Sequence, residues 1–131
     1  MTDEFIFLPL GGSGEIGMNM NLFAYGPAEA RQWIMIDCGV TFAGSELPGI
    51  DLITPDHGYL LDEIDSGAEL LAIVLTHGHE DHIGAVAHLW PDLECDIYAT
   101  PFTAELVRRK FIDVGIDNPP IKIIDMGTRF D

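Results

Sequence analysis

Four candidate metal ligands, His77, His79, Asp81 and His82, fall within six residues of the run Thr76-His77-Gly78-His79-Glu80-Asp81-His82. His77 and His79 are two apart, so in locally extended backbone their rings lie on one side and converge on one ion. Asp81 and His82 come where a helix is expected to begin. There the chain has turned, and the pair addresses a second ion beside the first, with Gly78 leaving room for the turn. Imidazole and carboxylate suit zinc or manganese better than a soft copper or iron–sulfur centre. Two such ions about 3.5 to 4 Å apart activate water for hydrolysis, so the run points to a two-ion hydrolytic site. The plainer alternative, polar residues decorating a surface turn, fits poorly with a position directly after the apolar run Leu70 to Leu75. Asp37 ends another apolar run, Ile34-Met35-Ile36, and reaches the same sheet edge. Metal-bound histidines usually donate their other ring nitrogen to such a carboxylate, which fixes tautomer and orientation. The simpler role for Asp37 is to satisfy backbone donors in the turn that follows.

The elements that must position these residues are legible from apolar periodicity. Strands are expected at Phe5 to Leu8, at Met18 to Tyr25 with a period of two, and at Trp33 to Asp37. Residues 38–58, rich in glycine, proline and aspartate, read as a long loop, the kind of segment that often carries function. A short helix is expected over Tyr59 to Ile64, and a strand covered on both faces over Leu70 to Leu75. Ile83, Val86, Ala87 and Trp90 recur at helical spacing, so a helix begins near His82 and stops at Pro91. Strand Asp96 to Ala99 and strand Ile121 to Ile124 flank a helix from Thr103 to Val114, with Glu105 in its first turn and Gly115 as its stop. Early strands joined by hairpins, followed by alternating strand and helix, predict a layered α/β architecture.

Other features carry less. Gly12-Ser13-Gly14-Glu15-Ile16-Gly17 matches a dinucleotide-binding fingerprint, with Asp37 twenty residues past Gly17. That unit needs an amphipathic helix directly after the glycines, and residues 18–25 alternate instead, so a turn between antiparallel strands is the expected reading. Cys38 and Cys95 match no zinc-binding spacing and read as reduced, buried thiols rather than a disulfide. His57 and His88 stand apart from the cluster, and Arg108-Arg109-Lys110 reads as a solvated helix end.

The length of 131 residues fits one domain or part of one, and 47% apolar against 21% charged residues supplies a core and excludes a disordered chain. No apolar run approaches the roughly 18 to 20 residues that span a bilayer, and no basic, apolar leader opens the chain, so a cytoplasmic protein without a membrane partner is expected. Residues 1–107 hold 18 acids and the single base Arg31, while residues 108–131 hold five bases and four acids, for a net charge of −16. Such a surface repels polyanions except near a bound cation or a local basic patch.

The sequence resembles the metallo-β-lactamase superfamily and, within it, the bacterial beta-CASP ribonucleases. The resemblance rests on Leu8 to Asn19 (Leu-Pro-Leu-Gly-Gly-Ser-Gly-Glu-Ile-Gly-Met-Asn), on Ile36-Asp37-Cys38-Gly39 and on Thr76 to Ala85. The histidine motif specifies the superfamily; the glycine-rich opening and the Glu-Asp-His-Ile-Gly-Ala continuation specify the nucleases. It implies that residues 1–131 are the N-terminal part of an αββα sandwich, with the beta-CASP and C-terminal parts absent. It also implies metal-dependent RNA processing and decay by 5′-to-3′ exonucleolysis and endonucleolysis. By the same resemblance His77 and His79 bind one zinc ion and Asp81 and His82 a second, with manganese or magnesium as alternatives. Asp81 and His82 take part in catalysis with Asp37 in support. The further ligands would lie beyond Asp131, so the isolated chain is expected to be nearly inactive, its partner RNA engaging only the full-length protein. A half-built sandwich is also expected to expose apolar sheet surface and to form homo-oligomers. Two other readings compete: a thioester or lactam hydrolase of the same superfamily, and a noncatalytic nucleotide-binding module built on Gly12 to Gly17.

Overall fold

Alternating burial along the first strands sets the architecture. A computed structural model of the chain describes residues 4–11, 19–27, 30–39, 41–42, 52–53, 58–78 and 80–125; at 11, 41, 42, 52, 53, 80 and 81 the description covers backbone alone. Strand β1 spans Glu4–Gly11, β2 Met20–Gly26 and β3 Gln32–Ile36. In β2, Met20, Leu22 and Ala24 are buried while Tyr25 faces out, and in β3 Trp33 and Met35 are buried while Ile34 faces out. A period of two is what a half-buried strand requires. The three strands form an antiparallel meander, Phe7 opposite Phe23 and Phe23 opposite Ile34. The turn from β2 to β3 uses Gly26 at φ 125°, a conformation that disfavours any side chain.

The remainder is built of parallel crossovers. Residues 41–42 (β4) and 52–53 (β5) form a two-residue antiparallel ladder inside the stretch expected to be loop throughout. Helix α1 (Gly58–Asp65) leads into β6 (Glu69–Val74), which pairs parallel with β3. Helices α2 (Glu80–Ile83) and α3 (Val86–Leu93) lead into β7 (Asp96–Ala99), and α4 (Pro101–Asp113) leads into β8 (Ile121–Ile123). The sheet order is β1-β2-β3-β6-β7-β8, antiparallel at one side and parallel at the other, a mixed α/β fold. Between β1 and β2 lies the Gly12–Gly17 segment, outside the described residues. The strands that flank it pair antiparallel, Gly11 opposite Met20, whereas a dinucleotide-binding unit joins parallel strands.

One core joins the helices to one face of the sheet. Met20, Leu22, Trp33, Met35, Ile73 and Ile97 pack in a single cluster with Leu60 of α1, Val86 and Leu89 of α3, and Val107 and Phe111 of α4. The opposite face carries Phe5, Phe7, Tyr25 and Ile34, 73%, 51%, 57% and 38% exposed. The rings of Phe5 and Phe7 lie 6.3 and 5.0 Å from that of Phe23. The continuous apolar run in β6 is therefore not covered on both faces. Leu71, beside a register shift between Trp33 and Ile34, is exposed, while Leu70 and Ile73 belong to the buried core.

Two helices depart from the periodicity. The helix expected from His82 to Trp90 is two helices, separated at Gly84 and Ala85, and the second continues through Pro91 to Leu93. Proline removes one internal hydrogen bond there, but burial of Leu93 holds a last turn in place. The helix then closes with Glu94 at φ 45°, its N–H on the Trp90 carbonyl. Helix α4 begins two residues early because Pro101 suits a first helical position, where no N–H is needed. Glu105 is thus beyond the first turn and pairs instead with Arg108 at 3.0 Å and Arg109 at 3.6 Å. Arg31 bridges β1 and α1, 3.6 Å from Glu4 and 3.0 Å from Glu63. No helix among the described residues is long and apolar enough to cross a membrane.

Candidate metal centre

Because β3 and β6 run parallel as neighbours, the residues following both strands emerge side by side at one sheet edge. Ligands in α/β sheets bind at such carboxyl ends. Asp37 follows β3 and adopts φ 67°, a left-handed conformation that aspartate tolerates better than most residues. Its N–H donates to the Val74 carbonyl at 2.8 Å, which pins the turn to the end of β6. Beyond β6 come Leu75, Thr76, His77 and Gly78, and then α2. The next residue of the first segment, Cys38, clasps that helix: its N–H donates to the His82 carbonyl at 2.7 Å, and its carbonyl accepts from the Ala85 N–H at 2.9 Å. Gly39 donates to the Asn19 carbonyl at 3.0 Å, which brings in the start of β2. Four segments distant in sequence are thus fastened by backbone bonds alone.

The side chains complete a connected network. The Asp37 carboxylate, 4% exposed, accepts the Thr76 N–H at 2.8 Å and lies 2.9 Å from the Thr76 hydroxyl through both of its oxygens. His82 Nδ1 lies 2.6 Å from the other carboxylate oxygen, so the ring donates from Nδ1, and in the neutral ring Nε2 then carries the lone pair. Asn19 Nδ2 stands 3.3 Å from that Nε2. His77 Nδ1 lies 3.1 Å from the Thr76 hydroxyl, and the His77 and His82 rings are 3.8 Å apart between centroids. A buried carboxylate is costly unless its oxygens are saturated with donors, and this one is.

Of the residues singled out in the sequence, Asp37, His77 and His82 are brought together. His79 lies outside the described residues, as does His57, and Asp81 is described through its backbone on α2. His88 is exposed on α3. Among the described residues no three His, Cys, Asp or Glu side chains are grouped to hold one ion. Asp37 is turned toward the back of His82 rather than toward a shared centre, the place of an orienting partner. Thr76 and Asn19 are additional members of the network. A hydroxyl directly between the strand end and the first histidine was a local signal for Thr76. Asn19 had none, since it meets His82 across 63 residues.

Gly78 has a reason other than the turn. A Cβ there would collide with Leu106 Cδ1 of α4, with Phe102 Cε1 3.8 Å away. Substitution Gly78→Ala is expected to cost about 1 kcal/mol, because the tip of Leu106 can yield. Denaturant midpoints would check it: the same change in a Leu106→Ala background should cost less, a coupling that separate, additive losses would contradict.

Cys38, next to Asp37, and Cys95, before β7, are buried thiols. Cys38 is pushed up by burial, with the charges of Cys95 and Asp37 adding to the shift. Cys95 is pushed up to about 12, chiefly by burial, with its own backbone hydrogen bond opposing and Asp96 adding. Both are unpaired, as expected from their spacing.

Residues 26–123 match the family described as Metallo-beta-lactamase superfamily. Ribonuclease J of Sinorhizobium meliloti is 49% identical over 130 residues, 98% of this chain and 22% of that protein. Ribonuclease J 1 of Streptococcus pyogenes is 39% identical over 107 residues, 82% of this chain and 18% of that protein. An archaeal metallo-beta-lactamase superfamily protein from Sulfolobus tokodaii matches in structure with a TM-score of 0.49 at 19% identity, covering 97% of this chain and 50% of that one. The chain spans about a fifth of the length of the curated relatives it matches. With a mixed six-stranded sheet, His77 and His82 at its carboxyl edge and a family match over most of its length, the chain belongs to the metallo-beta-lactamase superfamily, whose members generally bind divalent metals.

Proposed function

We propose that this chain is the opening part of the metallo-β-lactamase-like domain of a ribonuclease J-like enzyme, a metal-dependent hydrolase of RNA phosphodiesters. The observation that carries the reading is the 49% identity to Ribonuclease J across 98% of the chain. In this reading His77 and His79 hold one divalent ion and Asp81 and His82 the other, zinc being the first choice for such donors. The donor chemistry fits: His82 is held from Nδ1 by Asp37, so its Nε2 lone pair is the one presented for ligation. When bound, the ions supply Lewis acidity toward a phosphoryl oxygen and make water nucleophilic at neutral pH. The chain's own task is to orient imidazoles. Asp37 does so for His82, and the clasp of Cys38 on His82 and Ala85 holds α2 against the sheet edge. Four ligands fall short of the roughly three protein ligands per ion typical of catalytic sites, so the chain alone turns over little RNA. Its charge of −16 leaves the grip on RNA to bound cations and to the rest of the enzyme, with Arg108, Arg109 and Lys110 the local exception.

The test is cleavage of 5′-monophosphorylated RNA by the full-length protein with zinc or manganese. Activity is expected to vanish with a chelator, to return on metal addition, and to vanish in His77→Ala. RNA cleavage that survives the chelator, or turnover of a thioester or lactam without any of RNA, contradicts the proposal.

A further inference from the structure

We propose that Thr76 is a positioning residue that carries the hold of Asp37 across to His77, so that one buried carboxylate sets the tautomer of two histidines. As a carboxylate Asp37 accepts only, and a hydroxyl has one proton to give. Thr76 Oγ1 stands 2.9 Å from both Asp37 oxygens, so its proton points at the carboxylate; otherwise lone pairs would face lone pairs at that distance. Toward His77 Nδ1, 3.1 Å away, the hydroxyl then has acceptor capacity alone. His77 Nδ1 therefore carries a proton and donates it to Thr76, which leaves the lone pair of the neutral ring on Nε2.

His82 reaches the same state directly, its Nδ1 donating to Asp37 at 2.6 Å. The amide of Asn19, 3.3 Å from His82 Nε2, agrees with that assignment, because an N–H donor there needs a lone pair to meet. Both rings, 3.8 Å apart, thus present Nε2. In the proposed function, on which the metal part of this inference rests, His77 and His82 belong to different ions. Thr76 then couples the orientation of ligands on both ions to a single acid. The Thr76 N–H to Asp37 survives removal of the hydroxyl, and the residue is exposed, so Thr76→Val takes away the relay without emptying the core.

The test is long-range 1H–15N correlation on the metal-free chain with 15N-labelled histidine at neutral pH. In the wild-type chain His77 and His82 should both show a protonated Nδ1 and a bare Nε2. A protonated Nε2 on His77 overturns the inference without any variant. In Thr76→Val, His77 should lose its fixed tautomer while His82 keeps its own, and Thr76→Ser should restore His77; an unchanged His77 in Thr76→Val also overturns it. Zinc titration of the full-length protein supplies the second readout. Removing a partner of this kind typically weakens metal binding about 10- to 100-fold, expected here for Thr76→Val and not for Thr76→Ser. Wild-type affinity in Thr76→Val would overturn the role given to the relay. A wild-type full-length protein that takes up no zinc would sink the metal-centre reading instead, and the tautomer spectra would still decide the hydrogen-bond chain.

Discussion

Replacing Asp37 with alanine is expected to weaken divalent metal binding by about 10- to 100-fold and to lower stability by about 2–4 kcal/mol. The two losses have one origin. Asp37 is buried, and its carboxylate is the common acceptor for the Thr76 N–H, the Thr76 hydroxyl and His82 Nδ1. Without it the Thr76 amide and the His82 ring lose their acceptor, and His82 is free to turn or to move its proton to Nε2. Alanine also bears the left-handed backbone at φ 67° less well than aspartate does. Asp37→Asn separates the contributions. Asparagine tolerates the backbone, but its amide places an acceptor on one side and a donor on the other, so it cannot serve the Thr76 N–H and His82 together. Zinc titration and urea unfolding should show Asp37→Asn recovering part of the stability and little of the affinity. Wild-type affinity in Asp37→Ala would remove Asp37 from the metal centre altogether.

Stability is expected to fall steeply in alkali, at about 1.4 kcal/mol per pH unit for each buried thiol. Cys95 is raised from an ordinary 9.0 to about 12, and Cys38 is raised by fuller burial. Below pH 9.0 the thiols are protonated in both folded and unfolded chains, and the full stability is present. Between 9.0 and about 12 the unfolded chain releases thiol protons that the folded chain retains, so unfolding gains and stability declines as pH rises. Cys95 is the less completely buried of the two, which trims its share. Urea midpoints from pH 7.5 to 11 would measure the slope. The double variant Cys38→Ala, Cys95→Ala should lose most of it, and a slope unchanged by that variant would assign the alkaline loss to other groups. Labelling with iodoacetamide at neutral pH should correspondingly be slow in the folded chain and fast in urea.

The strands were readable because a half-buried strand needs a period of two, and Met20, Leu22, Ala24 with Trp33 and Met35 supply it. Burial of the opposite face was not readable. Leu70 to Leu75 is apolar throughout, yet Leu71 is exposed, and what covers a sheet face is set by the elements packed on it rather than by the strand alone. Pro91 looked like a stop, and the burial of Leu93 outweighs the hydrogen bond it removes. The β4–β5 ladder lay hidden in a stretch rich in glycine and proline, since two-residue strands have no periodicity to detect.

At the candidate site, residue type and spacing alone selected His77 and His82 as ligands and Asp37 as their support, because imidazole and carboxylate chemistry belongs to the residues themselves. What each side chain does to the others required the fold. Thr76 meets Asp37 across 39 residues and Asn19 meets His82 across 63, separations at which no local pattern survives. The parallel pairing of β3 with β6 puts Asp37 beside Thr76, and the Cys38 clasp draws His82 to Asp37. The chain's own sequence thus determined which groups were available for metal chemistry. Tertiary structure decided which nitrogen each ring presents, because a tautomer depends on the partner a proton meets, and those partners come from elsewhere in the chain.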